Sequence, residues 1–225
     1  DYVANVSHEL RTPLTAMRAL IEPLRDGLVK TEEQRQQIYD VVLRETMRLS
    51  RLVNDMLELS RLQSGTASLS RSVFAPLPLL DLIHETYSAY AEDYQQTFVY
   101  DVPKDLPNVI GNPDRTQQVL IALLDNAFKY TPEGGDILLR TGRNEKGHSF
   151  FLVQDEGIGI SPDDTPHIFE RFYKGAGGVH GIGLAIVQTI VEQHQGQVSV
   201  ESDEHQTTFT MTFAKMSKKA LEKKA

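Results

Sequence analysis

The feature that most constrains this chain is an apolar stripe at helical spacing along its opening segment. Val3, Val6, Leu10, Leu14, Met17, Ile21, Leu24 and Leu28 follow one another in steps of three and four, which keeps side chains on one face of an α-helix. Asp26-Gly27 breaks the pattern, and Thr31 stands as an N-cap with Glu33 and Gln34 behind it. A second stripe, Ile38, Val42, Leu49, Leu52, Met56 and Leu59, runs on to near Gly65 with an interruption at Glu45-Thr46. That helix would be about 48 Å long at ~1.5 Å per residue. Two such helices joined by a short loop predict an antiparallel hairpin. A lone hairpin exposes too much apolar surface, so a homodimer closing a four-helix bundle is expected.

The texture changes at Ser64-Gly65-Thr66. Beyond it, helices are predicted over 78–94, from Asn112-Pro113-Asp114 to Tyr130, and over 182–194. Strands are predicted over 97–101, 136–141, 149–154, 197–201 and 207–213. This mixture predicts an α/β sandwich with the helices on one sheet face. The expected divisions are a helical domain over 1–65, a linker over 66–72, an α/β domain over 73–214 and a Lys-rich tail over 215–225. With 225 residues, 40% of them hydrophobic, each domain can bury its own core.

Composition narrows the function. The absence of cysteine excludes a disulfide framework, a thiolate metal site and a cysteine nucleophile. Net charge is −8, and outside the last twelve residues 18 basic side chains face 30 acidic ones. An acidic body of this kind is not a nucleic-acid scaffold. No apolar run approaches the ~20 residues that cross a bilayer. Because the chain opens inside a helical pattern with no cap before it, we read it as part of a longer protein. Any membrane anchor is expected in a preceding region, with this portion cytoplasmic.

His8 carries the first chemical signal. At ~100° per residue it lies roughly opposite Val6 and Leu10, so the core stripe leaves it facing solvent beside Thr12 and Thr15. A solitary exposed histidine is ordinarily incidental, but the neighbours of this one have chemistry to offer. Glu9 can accept an imidazole proton and leave the other ring nitrogen nucleophilic. Pro13 sits inside a strongly periodic helix at a cost of about 3 kcal/mol. The run Ser7-His8-Glu9-Leu10-Arg11-Thr12-Pro13-Leu14 resembles the phospho-acceptor box of sensor histidine kinases over eight consecutive residues. The resemblance implies that His8 is phosphorylated, that Glu9 is its base and that Thr12 serves the reverse, phosphatase reaction.

A nucleotide would have to be held without a Walker-type loop, since none is present. Four stretches offer the chemistry instead. Asp125-Asn126-Ala127-Phe128-Lys129-Tyr130 supplies an amide oxygen, a cation and a ring. Asp155-Glu156-Gly157-Ile158-Gly159-Ile160 supplies a carboxylate for an adenine amino group and glycines that let backbone approach the base. Ile168 to Lys174 joins an apolar anchor to basic residues, and Gly181-Ile182-Gly183-Leu184 opens a helix whose N-terminus favours phosphate. Each alone has an ordinary reading as a turn, a core pair or a solvated helix face. In this order they resemble the N, G1, F and G2 boxes of the ATP-binding domain that histidine kinases share with gyrase-type ATPases. The resemblance implies ATP and Mg2+ as cofactors, with Asn126 as metal ligand and Lys129 and Lys174 on phosphates. It places Tyr130 beside the nucleotide, Asp155, Gly157, Gly159 and Ile160 around adenine, and Gly181, Gly183 and Leu184 near the phosphate chain. It also implies onward transfer to an aspartate in the receiver domain of a response regulator.

Two departures from that family stand out. Ala122 occupies the position, one turn before Asn126, where the family has a second asparagine, so metal and phosphate positioning should be weaker. Only six residues, Gly175 to His180, separate Lys174 from Gly181, a short lid that predicts modest affinity and easy nucleotide exchange. Two other functions stay open on these residues: a kinase-impaired phosphatase or signalling switch, and a clamp-type ATPase that makes no use of His8.

Overall fold

The computed structural model describes residues 2–64, 70–173 and 182–213, with side chains from Val6 onward. The Lys-rich tail, Lys174, the lid residues and Gly181 lie outside the described residues, as do residue 65 and residues 66–69 of the expected linker. The chain divides into two compact units, Asp1–Ser60 and Arg61–Ala225.

The first unit is built from α1 (Tyr2–Arg25) and α2 (Glu32–Gln63), the second of which continues into the other unit. α1 ends three residues before the stripe does, where the Leu28 N–H turns back to the Pro23 carbonyl at 3.0 Å. Thr31 caps α2 as expected, its Oγ1 accepting the Gln34 N–H at 3.2 Å. The helix runs unbroken through the interruption of its stripe at Glu45-Thr46, where the Thr46 hydroxyl donates to the Val42 carbonyl one turn back at 2.7 Å. The same hydroxyl lies 3.5 Å from the Met17 sulfur, which sets the two helices side by side. The stripe on α2 faces inward, with Ile38, Val42, Leu49, Leu52 and Met56 half-buried and Leu59 buried. That on α1 divides: Val6, Leu10, Met17 and Leu24 are half-buried, whereas Leu14, Ile21 and Leu28 are exposed. Tyr39, Leu43 and Met47 on α2 are exposed as well.

The second unit is the expected α/β sandwich. β2 (Thr97–Asp101), β4 (Asp136–Arg143), β5 (Ser149–Asp155), β7 (Thr207–Thr212) and β6 (Gln197–Ser202) form one sheet in that spatial order. β2 runs parallel to β4, and the other pairs are antiparallel. Alternate residues, Ile137 and Leu139, Phe151 and Val153, Phe209 and Met211, are buried on one face, as the period of two dictates. The helices α3 (Leu77–Asp93), α4 (Pro113–Tyr130) and α5 (Gly183–Gln193) supply the other half of the core. On α4 the buried positions Val119, Leu120, Leu123, Leu124 and Ala127 recur at helical spacing. Its start is set by Asn112, whose side chain accepts the Arg115 N–H at 3.0 Å, with Pro113 behind it. A ribbon that the sequence did not announce pairs β1 (Ser72–Phe74) antiparallel with β3 (Val109–Gly111). Three residues each are too few for an alternation to be seen.

His194 ties this unit together at 2% exposure. Its Nδ1 donates to the Ile190 carbonyl at 2.7 Å, its Nε2 accepts the Asn112 N–H at 2.9 Å, and its ring stands edge-on to Phe213. Burial pushes its pKa down; the Ile190 carbonyl opposes this, and Arg71 and Arg115 reinforce it. The folded state therefore needs the neutral ring, and stability from this residue is lost as pH falls below the unfolded value of ~6.5. His194→Ala should cost about 2–4 kcal/mol at pH 7.5. In urea unfolding the parent should lose more stability than the variant between pH 7.5 and 5.5; equal losses would contradict this role.

Candidate functional site

In the first unit α1 itself presents His8 to solvent. The His8 side chain is 69% exposed, and its Nδ1 lies 3.8 Å from Oε1 of Glu9, which is 9% exposed. The separation is too long for a formed hydrogen bond, and among the described residues no ion pair is made at Nε2. One turn on, the Thr12 hydroxyl donates to the His8 carbonyl at 3.2 Å. Pro13 has no N–H to give to the Glu9 carbonyl four residues back, so the backbone hydrogen-bond ladder is interrupted beside the histidine.

In the second unit the end of α4 meets the end of β5. Asn126 is half-buried on α4, with Ala122 half-buried one turn before it. The Lys129 amine reaches the Tyr130 hydroxyl at 3.2 Å and lies 4.7 Å from the centre of that ring, a cation–π arrangement. Asp155 closes β5 at 5% exposure. Burial pushes its carboxyl up to about 6, with the Gly157 N–H, 3.0 Å from Oδ1, pulling the other way. A Cβ on Gly157 would sit 2.5 Å from Asp155 Oδ1 and 3.0 Å from the Tyr130 carbonyl oxygen. Glycine is thus what lets this loop bring Asp155 and Tyr130 together. Gly159 has a φ of +69°, and a Cβ there would fall 1.8 Å from the Asp203 carbonyl, so no other residue fits without moving the β6–β7 turn. Ile160 is half-buried, its N–H bonded to Ser202 Oγ at 2.8 Å.

The remaining expected residues are divided. Gly183 is the first residue of α5 and Leu184, half-buried, the second; no side chain caps this end among the described residues. Its first N–H groups keep the partial positive charge that favours an anion. Lys174 and Gly181 fall outside the described residues. Before the former, Phe172 is buried with a φ of +60°, a strained conformation for a bulky side chain.

Sequence reasoning missed several supporting groups. Gln96 fixes the end of α4 by donating to the Phe128 and Thr131 carbonyls at 3.1 and 2.5 Å. Ser202 links the Ile160 N–H to Thr207, hydroxyl to hydroxyl at 2.9 Å. Tyr87 on α3 reaches Asp125 Oδ1 at 2.6 Å. Thr207 is buried on the interior strand β7 between Asp155 of β5 and Ser202 of β6, and none of these groups carried a local signal in the sequence. Among the described residues no cluster of three or more acidic or imidazole groups could hold a metal. A single half-buried amide such as Asn126 nonetheless fits Mg2+, which takes one or two protein oxygens and completes its shell with phosphates and water.

Comparison with known proteins joins the two halves. Residues 1–65 match the family model of the His Kinase A phospho-acceptor domain, and residues 111–217 match the histidine kinase-, DNA gyrase B- and HSP90-like ATPases. Drug sensory protein A of Synechocystis is 39% identical over 221 residues, covering 90% of this chain and 33% of its own length. Sensor histidine kinase WalK of Bacillus subtilis is 36% identical over 221 residues, covering 95% of this chain and 36% of its own. The histidine kinase AdeS of Acinetobacter baumannii shares the fold at a TM-score of 0.74 and 25% identity, over 92% of this chain and 97% of that one. The class defined is therefore a phospho-acceptor hairpin followed by an ATP-binding sandwich. The chain belongs to the sensor histidine kinases of two-component systems. It spans about a third of the length of these curated relatives. No described helix is long and apolar enough to cross a membrane.

Proposed function

We propose that the chain transfers the γ-phosphoryl group of ATP to Nε2 of His8, then hands it to an aspartate in the receiver domain of a response regulator. The observation that carries this is the solvent-facing His8 with a carboxylate on its Nδ1 side, in one chain with a buried carboxylate cradled by glycine. Glu9 takes or shares the Nδ1 proton, which leaves the Nε2 lone pair for in-line attack. The N–P bond forms as the P–O bond to the β-phosphate breaks, and ADP departs. Asp155 accepts the adenine amino group, while Gly157, Gly159 and Ile160 shape the base pocket and Tyr130 flanks the nucleotide. Lys129 and Lys174 neutralise phosphate charge, Gly183 and Leu184 offer backbone N–H groups at the start of α5, and Gly181 serves the same phosphates. Asn126 would hold Mg2+, which when bound screens the charge between phosphates. Reacting atoms must come within about 3–3.5 Å, so the ATP-binding domain has to approach His8 for transfer.

Homodimerisation is supported by the exposed apolar set Leu14, Ile21, Leu28, Tyr39, Leu43 and Met47, which a second hairpin would cover. The response regulator docks on the hairpin below His8, and a region preceding this chain anchors the protein to the membrane. A second reading is favoured by Ala122, which brings no metal-directed oxygen: a chain that works mainly as a phosphatase, with Thr12 placing the water. The test is incubation with Mg2+ and ATP labelled at the γ-phosphate. Label stable in alkali and lost in acid, absent from His8→Gln, supports the kinase; no label, with dephosphorylation of a phosphorylated regulator, supports the second reading.

A further inference from the structure

Asp125 and Lys129 stand four residues apart on α4 with the acid towards the N-terminus, the spacing and order in which helical ion pairs form most readily. Such a pair would occupy the ammonium that the proposed function assigns to phosphate. The structure arranges these groups otherwise. Asp125 Oδ1 accepts the Tyr87 hydroxyl at 2.6 Å, and Lys129 turns to the hydroxyl and ring of Tyr130. We infer that Tyr87 is a positioning residue: by holding the Asp125 carboxylate against α3, it keeps Lys129 available to the nucleotide's phosphates.

The tyrosine is built for this. Its side chain is 4% exposed, and its ring centre lies 5.2 Å from that of Phe128, 5.6 Å from Tyr90 and 6.2 Å from Phe98. The hydroxyl therefore cannot follow Asp125 if the carboxylate swings away; the carboxylate must come to it. A second oxygen, the Ile121 carbonyl, lies 3.3 Å from the hydroxyl and pins its height along α4. Burial and the neighbouring Asp125 push the phenol up, so it remains a donor across the working pH range. The arrangement also draws a negative charge away from the path of the incoming phosphates.

This inference rests on Lys129 contacting phosphate, and the experiment separates the two. Binding of a non-hydrolysable ATP analogue with Mg2+ is measured by calorimetry for the parent, Tyr87→Phe, Tyr87→Phe/Asp125→Asn and Lys129→Met. Phenylalanine keeps the ring packing, and a thermal melt verifies the fold. Tyr87→Phe should weaken the analogue by about three- to fivefold through release of an exposed ion pair and its charge. Adding Asp125→Asn should restore parental affinity, which loss of a merely structural hydrogen bond would not allow. A loss that persists in the double variant, or no loss at all, while Lys129→Met weakens binding, overturns the role of Tyr87 alone. Unchanged affinity in Lys129→Met overturns the phosphate role of Lys129, and this inference with it.

Discussion

Asp155→Asn should leave a chain that is harder to unfold and almost unable to bind ATP. The carboxylate is buried, and its pKa is pushed up to about 6 by that burial. A raised carboxyl pKa means that the folded state binds the proton more tightly than the unfolded one. The cost of burying the charge is thus fully present above pH ~6 and fades as pH falls towards the unfolded value of ~4. A gap of roughly two units corresponds to about 3 kcal/mol at neutral pH, which asparagine removes while its side-chain oxygen still accepts the Gly157 N–H. The amide then turns its own N–H groups towards the adenine amino group, donor against donor. Affinity should fall by roughly 100-fold or more. The parent should itself lose affinity about tenfold per unit as pH drops below ~6, because protonation removes the same acceptor. Thermal melts at pH 7.5 and calorimetry with an ATP analogue check both halves. A variant that melts earlier and still binds would refute the assignment.

Ala122→Asn should act in the opposite direction, on rate. Ala122 and Asn126 are both half-buried and one helical turn apart, so an amide at 122 stands on the same face as the proposed metal ligand. Phosphoryl transfer depends mainly on positioning and charge neutralisation. A second oxygen near the metal should raise autophosphorylation by roughly 10- to 100-fold. The gain should be largest at low Mg2+ and shrink as Mg2+ approaches saturation, which separates a metal effect from a general stiffening of α4. Equal rates with Mg2+ present would show that position 122 plays no part.

Much of this fold is legible in the sequence. The stripes on α1 and α2 fixed a hairpin, because burial on one face at helical spacing leaves little choice. The start of α4 could be read from Asn112-Pro113, since capping is local. Gly157 and Gly159 read as glycines that let backbone approach a base, whereas their close approach to Asp155, Tyr130 and Asp203 is visible only in the fold. What could not be read is long-range. His194 looks like any histidine near a helix end until Asn112, 82 residues away, donates to it. Tyr87 and Asp125 sit 38 residues apart, and Gln96 serves carbonyls 32 and 35 residues on. Such pairs depend on how the helices lie across the sheet, which no local pattern encodes. The exposed residues Leu14, Ile21 and Leu28 belonged to the same stripe as their half-buried neighbours, because a stripe records apolarity and not which partner covers it.

The most direct measurement is site-resolved phosphate mapping after incubation with ATP and Mg2+, quenched in alkali to preserve N–P bonds. Phosphorus on the peptide carrying His8, absent in both His8→Gln and Asp155→Asn, is the expected result. Phosphate on any other residue, or an unchanged signal in His8→Gln, would contradict the account.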